Sequence, residues 1–409
     1  MIEATARAAN PAFSADALGE PGVTVYRSLK KVETWVENHH YEAYEPFDGL
    51  SSPLGHLTRV SPLLDRLLQQ VGRQSPINFR PLLGVKPLPS TKGRGYMAAG
   101  YLGLYRLTGD AEYRRKAVAC LDWLIANKSP KFQEFSWANH FDYASRGGRY
   151  GTHESIIVWS SLVGQAFLDA YELLGDSRYL DVAESVCRWI LALPQERTKS
   201  GICISYHMLE QNSVHNASML GAAMLARTWQ HARKPEYLDL ATAAMQYSCT
   251  AQLANGAWWY GESEKYHWID NFHTGYNLDS LQCYIESTGD TSFNPQLASG
   301  FEYFHANFFE PTGRPKYYNN RAYPIDIQCC SQAIETLTKF STARPDALPT
   351  AVSVARWTID QMQDATGYFY YRRYPLMVAR IPMLHWGQAT MFHALVLLQQ
   401  RLERERNGR

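Results

Sequence analysis

Leu104-Tyr105-Arg106-Leu107-Thr108-Gly109-Asp110 reads as the end of one helix and the start of the next. Glycine supplies the left-handed residue that closes a helix, and an aspartate after it caps the helix that follows. Tyr113 and an alanine-rich run come next. The same order recurs along the chain. Tyr171-Glu172-Leu173-Leu174-Gly175-Asp176 leads to Tyr179 and Ala183, Thr228 to Pro235 leads to Tyr237 and Ala241, and Ile285 to Asp290 leads to Phe293 and Ala298. Ala343 to Asp346 precedes one more apolar helix. The period is roughly sixty residues, too long for a short solenoid repeat and suited to one long helical hairpin per unit.

Each unit pairs two kinds of helix. The first is apolar on most faces, as in Ser218-Met219-Leu220-Gly221-Ala222-Ala223, and is therefore expected to be buried on most faces. The second keeps a 3–4 spacing, as in Tyr179, Val182, Ala183, Val186 and Ile190, with one polar face left for solvent. An inner ring inside an outer ring follows: an all-α fold, an (α/α)6 toroid of helical hairpins. First helices are expected at 94–108, 153–174, 214–231, 271–287, 326–341 and 386–403. Second helices are expected at 111–127, 177–193, 236–252, 295–308 and 346–363, with 24–38 and 61–73 as one more pair. The domain plan is a flexible tail over 1–22 and a single toroid over 23–404.

Composition bounds the function. The 409 residues carry a formal charge of +1 and no long basic stripe, which argues against nucleic acid as a partner. Seven cysteines without a CxxC pair suit buried thiols in a reducing compartment. The first residues hold no apolar run of signal-peptide length, and no stretch is long enough to span a membrane. The expectation is a cytoplasmic protein without a membrane span.

Tight turns lead from inner to outer helix, whereas the returns run to about twenty residues, a length usually reserved for functional loops. Alternation gathers these returns at one end, where the inner-helix N-termini also point. The return Trp258–Leu278, WWYGESEKYHWIDNFHTGYNL, is richest in groups that stack on a ring or move a proton. Candidate catalytic residues are Asp270 and Asp326, as paired carboxylates of the glycosidase kind, and His273 as a proton shuttle. Each has a plainer role open to it, since both aspartates stand where an N-cap would. Candidate substrate contacts are Trp268, Trp386, Tyr276 and Tyr323 as aromatic platforms or hydroxyl partners. Arg146 and Arg372 would clamp an anion, and Asp142, His215, Asn216 and His385 complete the rim. Histidine spacings match no metal motif, so no metal and no cofactor is expected. Phosphate-binding glycine loops and the GxSxG elbow are missing. Gln252-Leu253-Ala254-Asn255-Gly256-Ala257-Trp258 has the QxxxGxW form of squalene-type terpene cyclases, but their DxDD acid has no counterpart.

The elements PINFRPLLG, His215-Asn216 after Val214, WIDNFHTGYNLDSL, PIDIQCCSQAI and IPMLHWGQATMFHAL together resemble the bacterial polysaccharide-biosynthesis proteins of the VpsJ type. The resemblance runs from about Val23 to Leu402, with His385 in place of an expected arginine. It implies an (α/α)6 fold related to six-hairpin glycosidases and glucuronyl C5-epimerase-like domains, in exopolysaccharide or capsule metabolism. The expected function is a carbohydrate-active enzyme acting on a saccharide that could contain uronate. Hydrolysis and proton abstraction by a lyase or C5-epimerase both stay open. A non-catalytic sugar-binding or assembly protein is the alternative, and a terpene-cyclase-like toroid a further one.

Overall fold

The computed structural model describes residues 19–145 and 148–408. Most of the expected tail lies outside the described residues, and its last residues already belong to the first helix. In chain order the helices are α1 (Glu20–Asn38), α2 (Pro62–Gln74), α3 (Thr91–Thr108), α4 (Ala111–Ala126), α5 (Ile157–Leu174), α6 (Ser177–Leu191), α7 (His215–Ala232), α8 (Pro235–Thr250), α9 (Asn271–Thr288), α10 (Asn294–Asn307), α11 (Ile327–Phe340), α12 (Ala347–Met362) and α13 (Thr390–Arg406).

Six of them, α3, α5, α7, α9, α11 and α13, pack side by side in that order, and α13 returns to α3. This closed inner ring is the toroid. Each of α4, α6, α8, α10 and α12 packs on the inner helix before it, and α1 fills the sixth outer place against α13 and α12. The expected pairing of 24–38 with 61–73 is therefore corrected. α1 buries Val25, Leu29, Val32 and Val36 in the seam where the two ends of the chain meet. α2 has no place in either ring and lies across the rim.

The turns behave as their residues require. Gly109, Gly175 and Gly289 close their helices at φ of 72°, 74° and 75°. Asp110, Asp176 and Asp290 accept the backbone N–H of Glu112, Arg178 and Ser292. The fourth turn uses Arg233, at φ 53°. The QxxxGxW stretch is structural: Gln252 Nε2 donates to the Gly256 carbonyl, and Trp258 Nε1 donates to that of Ser248. Gln363 donates to the Gly367 carbonyl in the same way, in a looser echo of the motif that ends in Phe369.

The returns are ordered by short antiparallel pairs. β1 (Glu42–Ala43) pairs with β2 (Leu88–Pro89), β3 (Tyr143–Ser145) with β4 (Gly148–Tyr150), and β5 (Gln195–Thr198) with β6 (Gly201–Ile204). β7 (Ile325–Asp326), β8 (Arg372–Arg373) and β9 (Val378–Ala379) form a three-stranded piece. α5 starts later than expected because His153, at φ 67°, still belongs to the loop. Before α13 the backbone widens into a π turn over Leu384–Ala389, a departure often found at functional sites.

Candidate active site

The mouth end of the ring holds a cavity of about 470 Å³. Its walls come from the inner-helix N-termini, the rim hairpins and one side of α2. Of the residues singled out in the sequence, Trp268, Asp270, His273, Tyr276, Asn216, His385 and Trp386 line it.

Asp270 caps α9. Its Oδ1 accepts the His273 backbone N–H at 2.9 Å. Its Oδ2 accepts Trp268 Nε1–H at 2.9 Å and stands 2.7 Å from His273 Nδ1. A carboxylate only accepts, so Nδ1 carries the proton and Nε2 is the basic nitrogen. The chain makes this unit locally: residues one turn apart at a helix start face each other across the cap. Trp268 stacks on Tyr260 with ring centroids 4.5 Å apart, and the His273 ring lies 4.6 Å from that of Tyr260.

Asp326 is built in parallel and finishes differently. It caps α11 by accepting the Gln328 N–H at 2.9 Å. Oδ1 also accepts Trp386 Nε1–H at 2.7 Å, and Oδ2 accepts Arg372 Nε–H at 2.5 Å. Asp326 and Arg372 are both buried and do not line the cavity. The carboxylate instead holds the Trp386 indole that does line it. Arg372 is further occupied by Gln74 and lies over the Tyr371 ring.

The floor adds groups outside that set. Lys92, in the first turn of α3, is buried and donates to Tyr276 Oη at 3.2 Å. Gln328 Nε2 donates to the same hydroxyl at 3.1 Å. Burial lowers the Lys92 pKa to about 7, against the raising effect of Glu45 and Glu335. Glu45 lies 2.5 Å from His385 Nδ1 and accepts the His385 backbone N–H at 3.0 Å. Burial lowers the His385 pKa, and Lys92 adds to this, while Glu45 opposes it. His385 is thus a second cavity imidazole with a carboxylate at Nδ1. It comes from the π turn, whereas His273 comes from α9, with α11 between them in the ring.

The remaining candidates sit elsewhere. Asp142 ties the β3–β4 hairpin to its surroundings through Arg149, Arg59 and Thr152. Burial alone would raise its pKa, but those hydrogen bonds outweigh it and bring it to about 2. His215 begins α7 and is held between Glu262, 3.0 Å away, and Ser248. Tyr323 accepts from Arg314 on the outer side of its loop. Arg146 lies outside the described residues. Asn216 lines the wall, and its Oδ1 is buried without a protein partner.

Lys92, Tyr260 and His207 line the cavity without having been among the candidate site residues, and Glu45 reaches it through His385. A lysine in the first turn of an otherwise small and apolar inner helix was a usable signal for Lys92. Nothing local marks Glu45, which meets His385 across 340 positions of chain.

No protein-family model and no curated protein sequence matches the chain. Solved structures do. The chain is similar to cellobiose 2-epimerase from Bacillus thermoamylovorans, at TM-score 0.61 and 10% identity over 78% of this chain and 90% of that one. It is similar to a family 76 glycoside hydrolase, a mannosidase, from Bacteroides thetaiotaomicron, at TM-score 0.60 and 11% identity over 96% and 100%. A polysaccharide lyase matches at TM-score 0.58 and 11% identity over 94% and 98%. At these identities the likeness establishes the (α/α)6 fold.

Proposed function

We propose that this protein is a carbohydrate-active enzyme that moves a proton at a carbon next to a carbonyl, as in sugar epimerisation or isomerisation. One observation carries the reading: two imidazoles, His273 and His385, each with a carboxylate at Nδ1, border one aromatic-walled cavity. Such a pair holds the Nδ1 proton against the carboxylate and leaves Nε2 as the atom that exchanges a proton with the substrate. His273 Nε2 takes the proton from carbon, leaving an enediolate. The Lys92 ammonium and the Tyr276 hydroxyl stabilise the charge that develops on oxygen. His385, entering the step as the imidazolium with Glu45 balancing its charge, delivers its Nε2 proton from its own side and inverts the carbon, and the proton gained by His273 leaves to solvent after turnover. Trp268, Tyr260 and Trp386 offer the apolar ring faces on which a sugar stacks.

Asp270 is in this reading a positioning residue for His273, and Asp326 a positioning residue for Trp386 and Arg372. Hydrolysis through an Asp270 and Asp326 pair is less favoured, because both carboxylates would have to reach the substrate and Asp326 is buried outside the cavity wall. A terpene-cyclase-like reaction is disfavoured by a wall that includes Lys92, His207 and Glu210. Similarity to an epimerase, a mannosidase and a lyase supports a saccharide substrate. The resemblance to polysaccharide-biosynthesis proteins supports a place in exopolysaccharide or capsule metabolism.

The test is incubation in D2O with a panel of neutral and uronate-containing mono- and oligosaccharides, followed by NMR. The expected result is deuterium at the carbon adjacent to the carbonyl, lost in His273→Asn and in His385→Asn. New reducing ends without deuterium incorporation would point to hydrolysis instead and reject the proposal.

A further inference from the structure

Twelve large apolar residues are exposed among the described residues, and nine of them lie between Leu54 and Leu82. Leu63, Leu64, Leu67 and Val71 follow helical spacing and form one outward stripe along α2, with exposed Val60 in the turn just before it. The opposite side of the same helix supplies Gln69, Gln70 and Arg73 to the cavity wall. α2 is therefore inverted relative to an ordinary surface helix, with its polar side toward the protein and its apolar side toward solvent. Leu376 and Met377, also exposed, sit in the β8–β9 turn. That hairpin bears on the end of α2 through the hydrogen bond from Tyr374 Oη to the Gln74 carbonyl. An exposed apolar stripe of this kind on a rim marks an interaction site.

The geometry points to an anionic lipid bilayer as the partner: we propose that α2 and the turns before it dock the mouth of the toroid on a membrane surface. Charge chooses this occupant. Residues 51–90 expose Arg59, Arg66 and Lys86, the first paired with Asp142 and the second at the edge of the cavity, while Arg80 is buried on Asp48 and Arg73 turns to the cavity; the segment contains a single carboxylate, Asp65. Asp65 is buried against Arg149 and Thr58, so no carboxylate of that segment is exposed. Apolar side chains flanked by arginine and lysine are what an in-plane amphipathic helix presents to acidic headgroups. A second copy fits poorly, because a two-fold contact through this face would set the same basic residues against themselves. No described helix is long and apolar enough to cross a membrane, so the docking is peripheral.

The test uses the full chain and vesicle flotation without saccharide, which keeps it independent of the catalytic reading. Vesicles of phosphatidylcholine mixed with phosphatidylglycerol should carry the protein, and pure phosphatidylcholine should not. Salt should weaken the binding. The triple variant Leu63→Gln, Leu67→Gln, Val71→Gln alters only exposed positions and should keep the wild-type melting temperature. Removing three apolar anchors should weaken vesicle binding about tenfold or more. Equal flotation of wild type and variant, or none with either vesicle, would overturn the proposal. So would light scattering that shows a dimer which the triple variant dissociates, since that assigns the face to a second copy.

Discussion

His273 offers the cavity one basic atom, and the reason lies in its partner. Asp270 Oδ2 takes the Nδ1 proton and the Trp268 indole N–H together. Asp270→Asn replaces an acceptor-only group by an amide, so one of those donors loses its partner and the tautomer is no longer set. Turnover should fall about 10²–10⁴-fold, the usual range for a lost acid–base group, while the far-ultraviolet circular dichroism stays native. Unchanged turnover would remove the dyad from the mechanism. Lys92 gives a prediction in pH. Its folded pKa is lowered to about 7, below the ordinary lysine value of about 10.4 in the unfolded chain. Between these values the unfolded chain binds the extra proton, so the contribution of Lys92 to stability rises with pH across that window and is least favourable below pH 7. The difference between wild type and Lys92→Met in urea midpoints, read from pH 6 to 10, should follow that curve; a pH-independent difference would contradict it. Activity should move the other way, falling above about pH 7 as the ammonium is lost, and Lys92→Met should lack that limb. Asp270 and His273 were each marked in the sequence but not as a unit, although a cap and a histidine three residues apart is a local signal. The burial of Asp326 was not, because Arg372 arrives from another return, 46 positions later.

At the scale of elements, backbone geometry governs which glycines tolerate change. Gly256, at φ 88°, turns the chain after α8, and a Cβ there would stand 2.2 Å from the Ser299 carbonyl oxygen. Gly175, at φ 74°, closes α5 with nothing within 4 Å of an added Cβ. Gly175→Ala should therefore cost only the left-handed penalty of about 1–2 kcal/mol. Gly256→Ala should exceed it by about 1–3 kcal/mol from overpacking, measured as denaturant midpoints at constant slope; equal costs would mean the turn yields. The Gly-Asp turns and the two helix types were readable because their signals are local. The order within the returns was not. Strands of two to four residues in β1 to β9 carry too few positions for a period to show, and they form because neighbouring returns lie side by side on the rim.

For the whole molecule, closure of the ring is the decisive contact. α1 covers α13, so the start and the end of the described chain share one seam. Leu29 is fully buried there, and Leu29→Ala should cost about 2–5 kcal/mol. The loss should appear as a single shifted melt rather than local fraying of α1, since opening the seam exposes the inner ring. An unshifted main transition with a separate early phase would show that α1 is a detachable strap. The sequence alone determined the two kinds of ring helix, the turns between them and the end of the toroid at which the long returns gather. Those follow from periodicity, capping and alternation, which act over one or two turns of chain. The tertiary structure alone decided that α1 rather than α2 completes the outer ring, that α2 faces its leucines to solvent, and that Glu45 meets His385 while Asp326 is sealed beneath Trp386. Each of these is a pairing of distant segments, set by which surfaces close the ring, and no local pattern of residues encodes it.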